Sequence, residues 1–522
     1  MRKNRKLAML LAGAMAMSAV FTGCGSSGNY AAPESKEEGK QKPSGEEAAK
    51  GDEPFEMVMS YIYTGNVPQD LQMVEDAVNE ITVPEIDVKV SLYPINLTER
   101  QTQYNLMISS GEKLDLMMLV FDSGPAMYAN KGQLLELDEL FEKYGKDIEE
   151  AEGIAMLGGY FNNKLYAIPD EEKMGRQFGV VLREDLLEKY GFDKYDGAGY
   201  EDLDELFAKV KAGEGEDFTI FNTVGASINT FQYFQLYDTL GSSLASGGLM
   251  DGGRGELKVE NIFATEEYKE HVQWMRKWYE AGYFAKDCIT MTDAGADLMK
   301  TGRYMGAFNW VDPTMESICT QDLGHPMKLI KITDAAAMTG YYQTSEWALP
   351  ITCENPEKTM EFLNLMYKDV DIANLLRYGI EGKHYVKTEH DGIITYPEGI
   401  DAMNSGYNNT LGLYGDKSKI YQWAPADPEI FTQLREFNES VLNDERKQSK
   451  ALGYCFNSEP VKSEFTAVTT VITQYESALE SGSVDTAKVL PEFLDALEAA
   501  GIDNVIEENQ KQLDAWAEEN QN

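Results

Sequence analysis

PFEMVMSYIYTG, residues 54–65, opens the pattern that decides the fold: an apolar, aromatic strand that stops at a glycine. VPQDLQMVEDAVNEIT follows, with Leu71, Val74, Val78 and Ile81 at three- and four-residue steps, the repeat of an amphipathic helix. IDVKVSLYPI (Ile86–Ile95) alternates as a strand, LTERQTQYNLMISSGEK reads as a helix stopped by Gly111, and LDLMMLV (Leu114–Val120) is an almost unbroken apolar run. Strand, helix, strand, helix, buried strand is the signature of a parallel sheet covered on both faces. Open α/β sheets place ligands beyond the carboxyl ends of such strands, which makes Tyr61, Tyr63, Asp122 and Ser123 candidates by position.

Downstream, GQLLELDELFEKYG (Gly132–Gly145) reads as a helix between glycines, and Asn162–Asn163 suit a hairpin turn between two short aromatic strands. A second α/β pattern begins at Gln177–Leu182, so the chain is expected to cross from a first lobe to a second near Ile168–Arg176. A helix over Thr265–Phe284 precedes a strand, Tyr304–Trp310, that leads into Asp312 and Pro313; His271 on that helix has no ligand partner at metal spacing and reads as a packing residue. The extended, aromatic TGYYQTSEWALPI (Thr339–Ile351) marks a return to the first lobe, and the end of the chain is helical. About 470 residues outside the leader and spacer exceed one ordinary core and call for at least two lobes.

The opposite end of the chain concerns location. Arg2, Lys3, Arg5 and Lys6 precede LAMLLAGAMAMSAVFTGC, an apolar run too short for a comfortable bilayer span, closed by small residues before Cys24. This reads as an export signal, residues 1–23, and FTGC resembles a bacterial lipobox in which the cysteine carries lipid. Residues 24–53 are rich in Ser, Gly, Pro, Glu and Lys and read as a flexible tether. The formal charge of −42 repels nucleic acid and anionic membrane surfaces. Cys288, Cys319, Cys353 and Cys455 are isolated, without metal-ligand spacing; buried thiols and disulfides both fit them.

No serine-hydrolase elbow, zinc-protease motif or phosphate-binding loop is present, the four histidines are scattered, and no cofactor motif occurs. With 88 acidic residues, carboxylate pairs of the kind glycosidases use arise by abundance alone. The 29 Tyr, 21 Phe and 6 Trp are more informative, because rings near loops pack on the C–H faces of sugars while amides, carboxylates and guanidinium groups bind hydroxyls. Strand ends and lobe crossings therefore nominate Tyr63, Asp122, Arg176, Trp310, Asp312, Tyr342 and Trp347 as ligand contacts.

NLMISSGEKLDLMML (Asn105–Leu119), GGYFNNKLYAIP ending at Pro169, ENPEKTMEFLNLMYKD (Glu354–Asp369), YGIEGKHYVK (Tyr378–Lys387) and the run from GYCFNSEP to QKQLDAW resemble, in this order, the extracellular solute-binding lipoproteins of ABC importers. The match is to the long Gram-positive form of the carbohydrate-binding group, with its characteristic C-terminal domain. The resemblance implies an α/β, two-lobed periplasmic-binding-protein type II fold with hinge crossings and a helical C-terminal extension. It implies residues 54–168 plus about 348–385 in lobe 1, 169–347 plus about 386–450 in lobe 2, and 451–522 as a segment packed on the lobes. It further implies a monomer that closes on a carbohydrate, delivers it to permease subunits, and needs no cofactor, with the protein held by lipid on the outer face of the cytoplasmic membrane. A peptide ligand, with Arg176 meeting a terminus, a secreted glycoside hydrolase and a purely structural lipoprotein are the alternatives at this point.

Overall fold

The computed structural model describes residues 53–520 apart from 121–123, 171–173, 222–227, 292–294, 341–344, 408, 410 and 412. The leader, Cys24, the tether, Asp122 and Tyr342 lie outside the described residues.

Strands β1 (Phe55–Tyr63) and β2 (Val88–Asn96) pair in parallel from Phe55↔Val88 to Tyr63↔Asn96. Strand β3 (Met117–Val120) joins the other side of β1 through the Met59↔Leu116 bridge. Among the described residues no strand pairs with the outer edge of β2, and the helix Leu71–Ile86 covers it with polar side chains. Asn79 accepts the Val90 N–H at 2.6 Å and donates to the Val90 carbonyl at 2.8 Å, Glu75 accepts the Leu92 N–H at 2.7 Å, and the Thr82 hydroxyl donates to the Val88 carbonyl at 2.8 Å. These bonds occupy the edge that would otherwise template another strand. Asn162 and Asn163 both take positive φ, 50° and 59°, as the tight turn between Tyr160–Phe161 and Lys164–Leu165 requires.

Strand β4 (Ala167–Pro169) ends the first passage through this lobe. The second lobe is built on β5 (Phe178–Arg183), β6 (Thr219–Phe221), β7 (Tyr304–Trp310) and β8 (Met327–Lys331), in the order β8-β5-β7-β6 with only β5 antiparallel to the rest. Strand β9 (Ser345–Ala348) then inserts between β3 and β4, antiparallel to both.

Two main cores result. One gathers Met59, Val90, Met118, Trp347, Phe362 and Tyr414; the other gathers Val180, Phe207, Phe221, Trp278, Met305 and Ile330. Tyr407, Leu413, Tyr414 and Ile420 pack in the first of these, although the sequence division placed about 386–450 with the second lobe. The reason is Tyr414, wholly buried with its ring 5.7 Å from that of Trp347, which keeps the loop on the first lobe until the helix Ile430–Leu442. Further along, Gln422–Trp423 pairs with Ile393–Thr395, and Trp423 stacks on Tyr396 at 4.3 Å.

The helix expected across Gly132–Gly145 begins only at Asp138, because Leu134 bridges Pro350 and the Leu135 N–H donates to Leu349 at 2.9 Å, holding the chain extended. No disulfide joins the four described cysteines. The helices Lys462–Glu480, Thr486–Ala500 and Ile502–Asn520 form the C-terminal unit; Val468, Phe493 and Leu497 pack on Phe231, Phe263 and Tyr268 of the second lobe. Among the described residues no helix is long and apolar enough to cross a membrane.

Candidate functional site

Strands β1 and β3 are parallel, β4 runs with them, and β9 starts where β3 ends, so Tyr63, Val120, Pro169 and Ser345 mark one edge of the first sheet. In the second sheet β7 and β8 end, and β5 starts, at a common edge marked by Trp310, Lys331 and Phe178. The chain leaves the first edge at Asp170, enters the second at Phe178, leaves it after Lys331 and re-enters the first at Ser345. Both sheets therefore turn toward the crossings the edges at which open α/β sheets bind ligands.

The crossings are hydrogen-bonded side by side. Arg176 and Ala336 exchange both backbone bonds at 2.8 Å, and Ala337 pairs in turn with the 447–449 segment, donating to Lys447 and accepting from Ser449 at 2.9 Å. Asn438 of the helix Ile430–Leu442 accepts the N–H groups of Met174 and Gly175 at 3.1 and 3.2 Å. On the first-lobe side, Asp170 forms an ion pair with Lys417, both buried, while Tyr367 donates to the Pro169 carbonyl at 3.0 Å. Three narrow segments joined by a few backbone bonds allow rotation of the lobes far more readily than shear through a packed core.

Arg176, Trp310 and Asp312, three of the nominated contacts, come together at the second edge. The Arg176 guanidinium lies 4.5 Å over the Trp310 ring, a cation–π stack, and Trp310 remains 37% exposed. Beyond the last ladder pair, Trp310↔Phe178, the Val311 N–H still donates to Gln177 at 2.8 Å, which sets Asp312 across from Arg176. Asp312 is buried and accepts the Thr314 N–H at 2.8 Å as well as its hydroxyl, so its carboxylate is held in place. A flat ring with a fixed cation and a fixed carboxylate beside it suits the apolar face and flanking hydroxyls of a sugar.

Tyr63 is half-buried at the opposite edge, its carbonyl accepting the Leu97 N–H at 2.9 Å. Trp347 is elsewhere: it is wholly buried in the first core, its indole N–H donating to the Leu413 carbonyl at 2.9 Å. Strand β9 is central, and Trp347 stands two residues inward from the edge that Ser345 marks. Sequence reading passed over the Asp170–Lys417 pair and Tyr233. The first joins distant parts of the chain, and the second sits in a turn whose only signal is the density of aromatics in TFQYFQLYD.

His271 behaves as a core residue. It is wholly buried and bonded to the Tyr200 hydroxyl at 2.9 Å and to Thr230 Oγ1 at 2.8 Å, and burial lowers its pKa to about 3. Among the described residues no cluster of three or more His, Cys, Asp and Glu side chains could hold a metal ion.

A two-lobed α/β chain with its binding edges at a hinge is the architecture of a binding protein, and the comparisons agree. Residues 76–379, more than half of the chain, match the bacterial extracellular solute-binding protein family, and residues 450–518 match a domain of unknown function, DUF3502. The chain belongs to that solute-binding family. It is 27% identical over 526 residues, 99% of each chain, to a carbohydrate ABC transporter substrate-binding protein of Streptococcus pneumoniae. The crystal structure of the N-glycan transport solute binding protein NgtS from Streptococcus pneumoniae superposes with a TM-score of 0.75 at 25% identity, covering 89% of this chain and 100% of that one. NgtS in complex with Man5GlcNAc gives a TM-score of 0.62 at 24% identity, covering 89% and 99%.

Proposed function

We propose that the chain is the substrate-binding component of an ABC importer that captures an oligosaccharide between its lobes. The Arg176–Trp310 stack carries this reading: a partly exposed indole at a sheet edge, fixed from one side by a buried guanidinium, is a platform for a sugar ring. The names of the pneumococcal relatives support carbohydrate, and the second of them supports a glycan of the N-linked type. Tyr63 extends the proposed wall, Asp122 and Tyr342, outside the described residues, are proposed as contacts from their sequence positions alone, and Trp347 supports the wall from within the core. The protein acts as a monomer, held outside the cell by lipid on Cys24, and hands its ligand to membrane permease subunits. No reaction accompanies capture.

A thermal-shift screen of the purified chain against oligomannose glycans, plant-type oligosaccharides and peptides tests the proposal. A ligand that binds only the native state raises the melting temperature by linkage. Stabilisation by at least one oligosaccharide, recovered uncut, is expected. Stabilisation by peptides alone overturns the carbohydrate assignment, and cleavage of the glycan overturns the binding-only role.

A further inference from the structure

Glu480 is the last residue of the helix Lys462–Glu480, and it is wholly buried. Away from water, the pKa of its carboxyl group is pushed well above the ordinary carboxylate range by burial, and the group is held by hydrogen bonds from the second lobe. Its Oε2 accepts the backbone N–H of Thr230 and, at 2.9 Å, that of Phe231. Its own backbone carbonyl accepts the Thr230 hydroxyl at 2.8 Å. With that hydroxyl proton committed, His271 Nε2 donates to Thr230 Oγ1 at 2.8 Å, and His271 Nδ1 accepts from Tyr200. Glu476, one turn earlier, accepts from the Asn229 amide at 3.3 Å. The C-terminal unit thus grips the Asn229 side chain and the Thr230–Phe231 backbone of the second lobe.

The turn so gripped, Phe231–Tyr233, anchors one ring in the interface and carries another toward the binding edge. Phe231 is buried against Tyr237 and Tyr268, at 5.6 and 5.1 Å. Tyr233, half-buried, stacks on Phe308 at 5.3 Å and meets the Phe178 ring edge-on at 5.9 Å. Phe308 is two residues before Trp310 on β7, and Phe178 is Trp310's ladder partner on β5, so these rings share a sheet face with Trp310. Tyr233 continues the aromatic row that the Arg176–Trp310 stack begins.

Resting on the carbohydrate reading above, we infer that Tyr233 is a further ligand contact, stacking on a second sugar ring, and that Glu480 of the C-terminal unit is its positioning residue. The C-terminal unit is then part of the binding machinery, although it contributes no ligand contact of its own. It fixes where the second ring is met, and so bears on glycan length.

The test is calorimetric titration of the full chain and its variants with Man5GlcNAc and with the oligosaccharides that stabilise the wild type. Tyr233→Ala and Glu480→Ala should each weaken binding about tenfold or more, the scale of a lost central aromatic contact. The double variant should be no weaker than Tyr233→Ala alone, because the second change acts only through the first. Glu480→Gln, which keeps an acceptor oxygen for the turn, should restore most of the affinity, and it carries the measurement if the alanine variant does not fold. Hydrogen exchange at the Thr230 and Phe231 amides should accelerate in Glu480→Ala. Wild-type affinity in Tyr233→Ala, or losses that simply add in the double variant, would overturn the inference while leaving the carbohydrate reading intact. A wild type that binds no oligosaccharide in the panel overturns that reading and this inference with it.

Discussion

Two tryptophans nominated for the same task should respond to truncation in opposite ways. Trp347 has no exposed surface and donates to the Leu413 carbonyl, so Trp347→Ala removes a large apolar side chain and leaves that carbonyl without its donor. Burial of about 200 Å² at about 25 cal/mol/Å² amounts to about 5 kcal/mol, an upper figure because unfolded chains are already partly compact. The stranded carbonyl adds about 1 kcal/mol, and large-to-small substitutions of tryptophan cost about 3–5 kcal/mol, so a loss of about 4 kcal/mol is expected. Trp347→Phe keeps most of the burial and should cost about 1–2 kcal/mol, chiefly the hydrogen bond. Urea unfolding followed by tryptophan fluorescence and circular dichroism reads both, and affinity measured on the folded fraction should stay near that of wild type. Full stability in Trp347→Ala together with lost ligand binding would refute the placement of this residue in the core.

Trp310→Ala should do the reverse, lowering glycan affinity by about 2 kcal/mol, roughly 30-fold by calorimetry, with little change in stability because the ring is already 37% exposed. Lys417→Met leaves the Asp170 carboxylate buried without this cation and should destabilise the chain by about 3–5 kcal/mol in urea; a variant as stable as wild type would show that the pair is dispensable. Burial raises the Glu476 carboxyl pKa, so the native state holds a proton that the unfolded chain releases, and the contribution to stability is fully present below the ordinary carboxylate range. Melting temperature should therefore fall as pH rises between about 4.5 and 7, and Glu476→Gln should make that fall shallower; an identical pH profile in the variant would contradict it.

The periodic elements were legible because their physics is local. Alternation over Ile86–Ile95, the apolar, aromatic run Phe55–Tyr63, the three- and four-residue steps of Leu71, Val74 and Val78, and the paired asparagines at 162–163 each announce one conformation, and each is found. Arg176, Trp310 and Asp312 were reachable by the same logic, since strand ends can be read from a pattern and open sheets bind ligands there. Trp347 misled because proximity to a crossing in sequence does not tell which way an inserted strand runs. Strand β9 enters at Ser345 and carries Trp347 inward. Tyr233 and Glu480 were invisible for a different reason. A turn has no period, and the bond that fixes this one comes from a helix some 250 residues away, so only the folded chain brings them together.

Small-angle X-ray scattering of the purified chain, with and without a saturating oligosaccharide, tests the central claim most directly. Two cores joined by three narrow crossings should close around a ligand gripped from both edges, provided the closed form binds it more tightly than the open one. The radius of gyration should be smaller in the presence of the sugar and recover when the sugar is removed intact. An unchanged profile at saturation, or a cleaved sugar in the same sample, would contradict it.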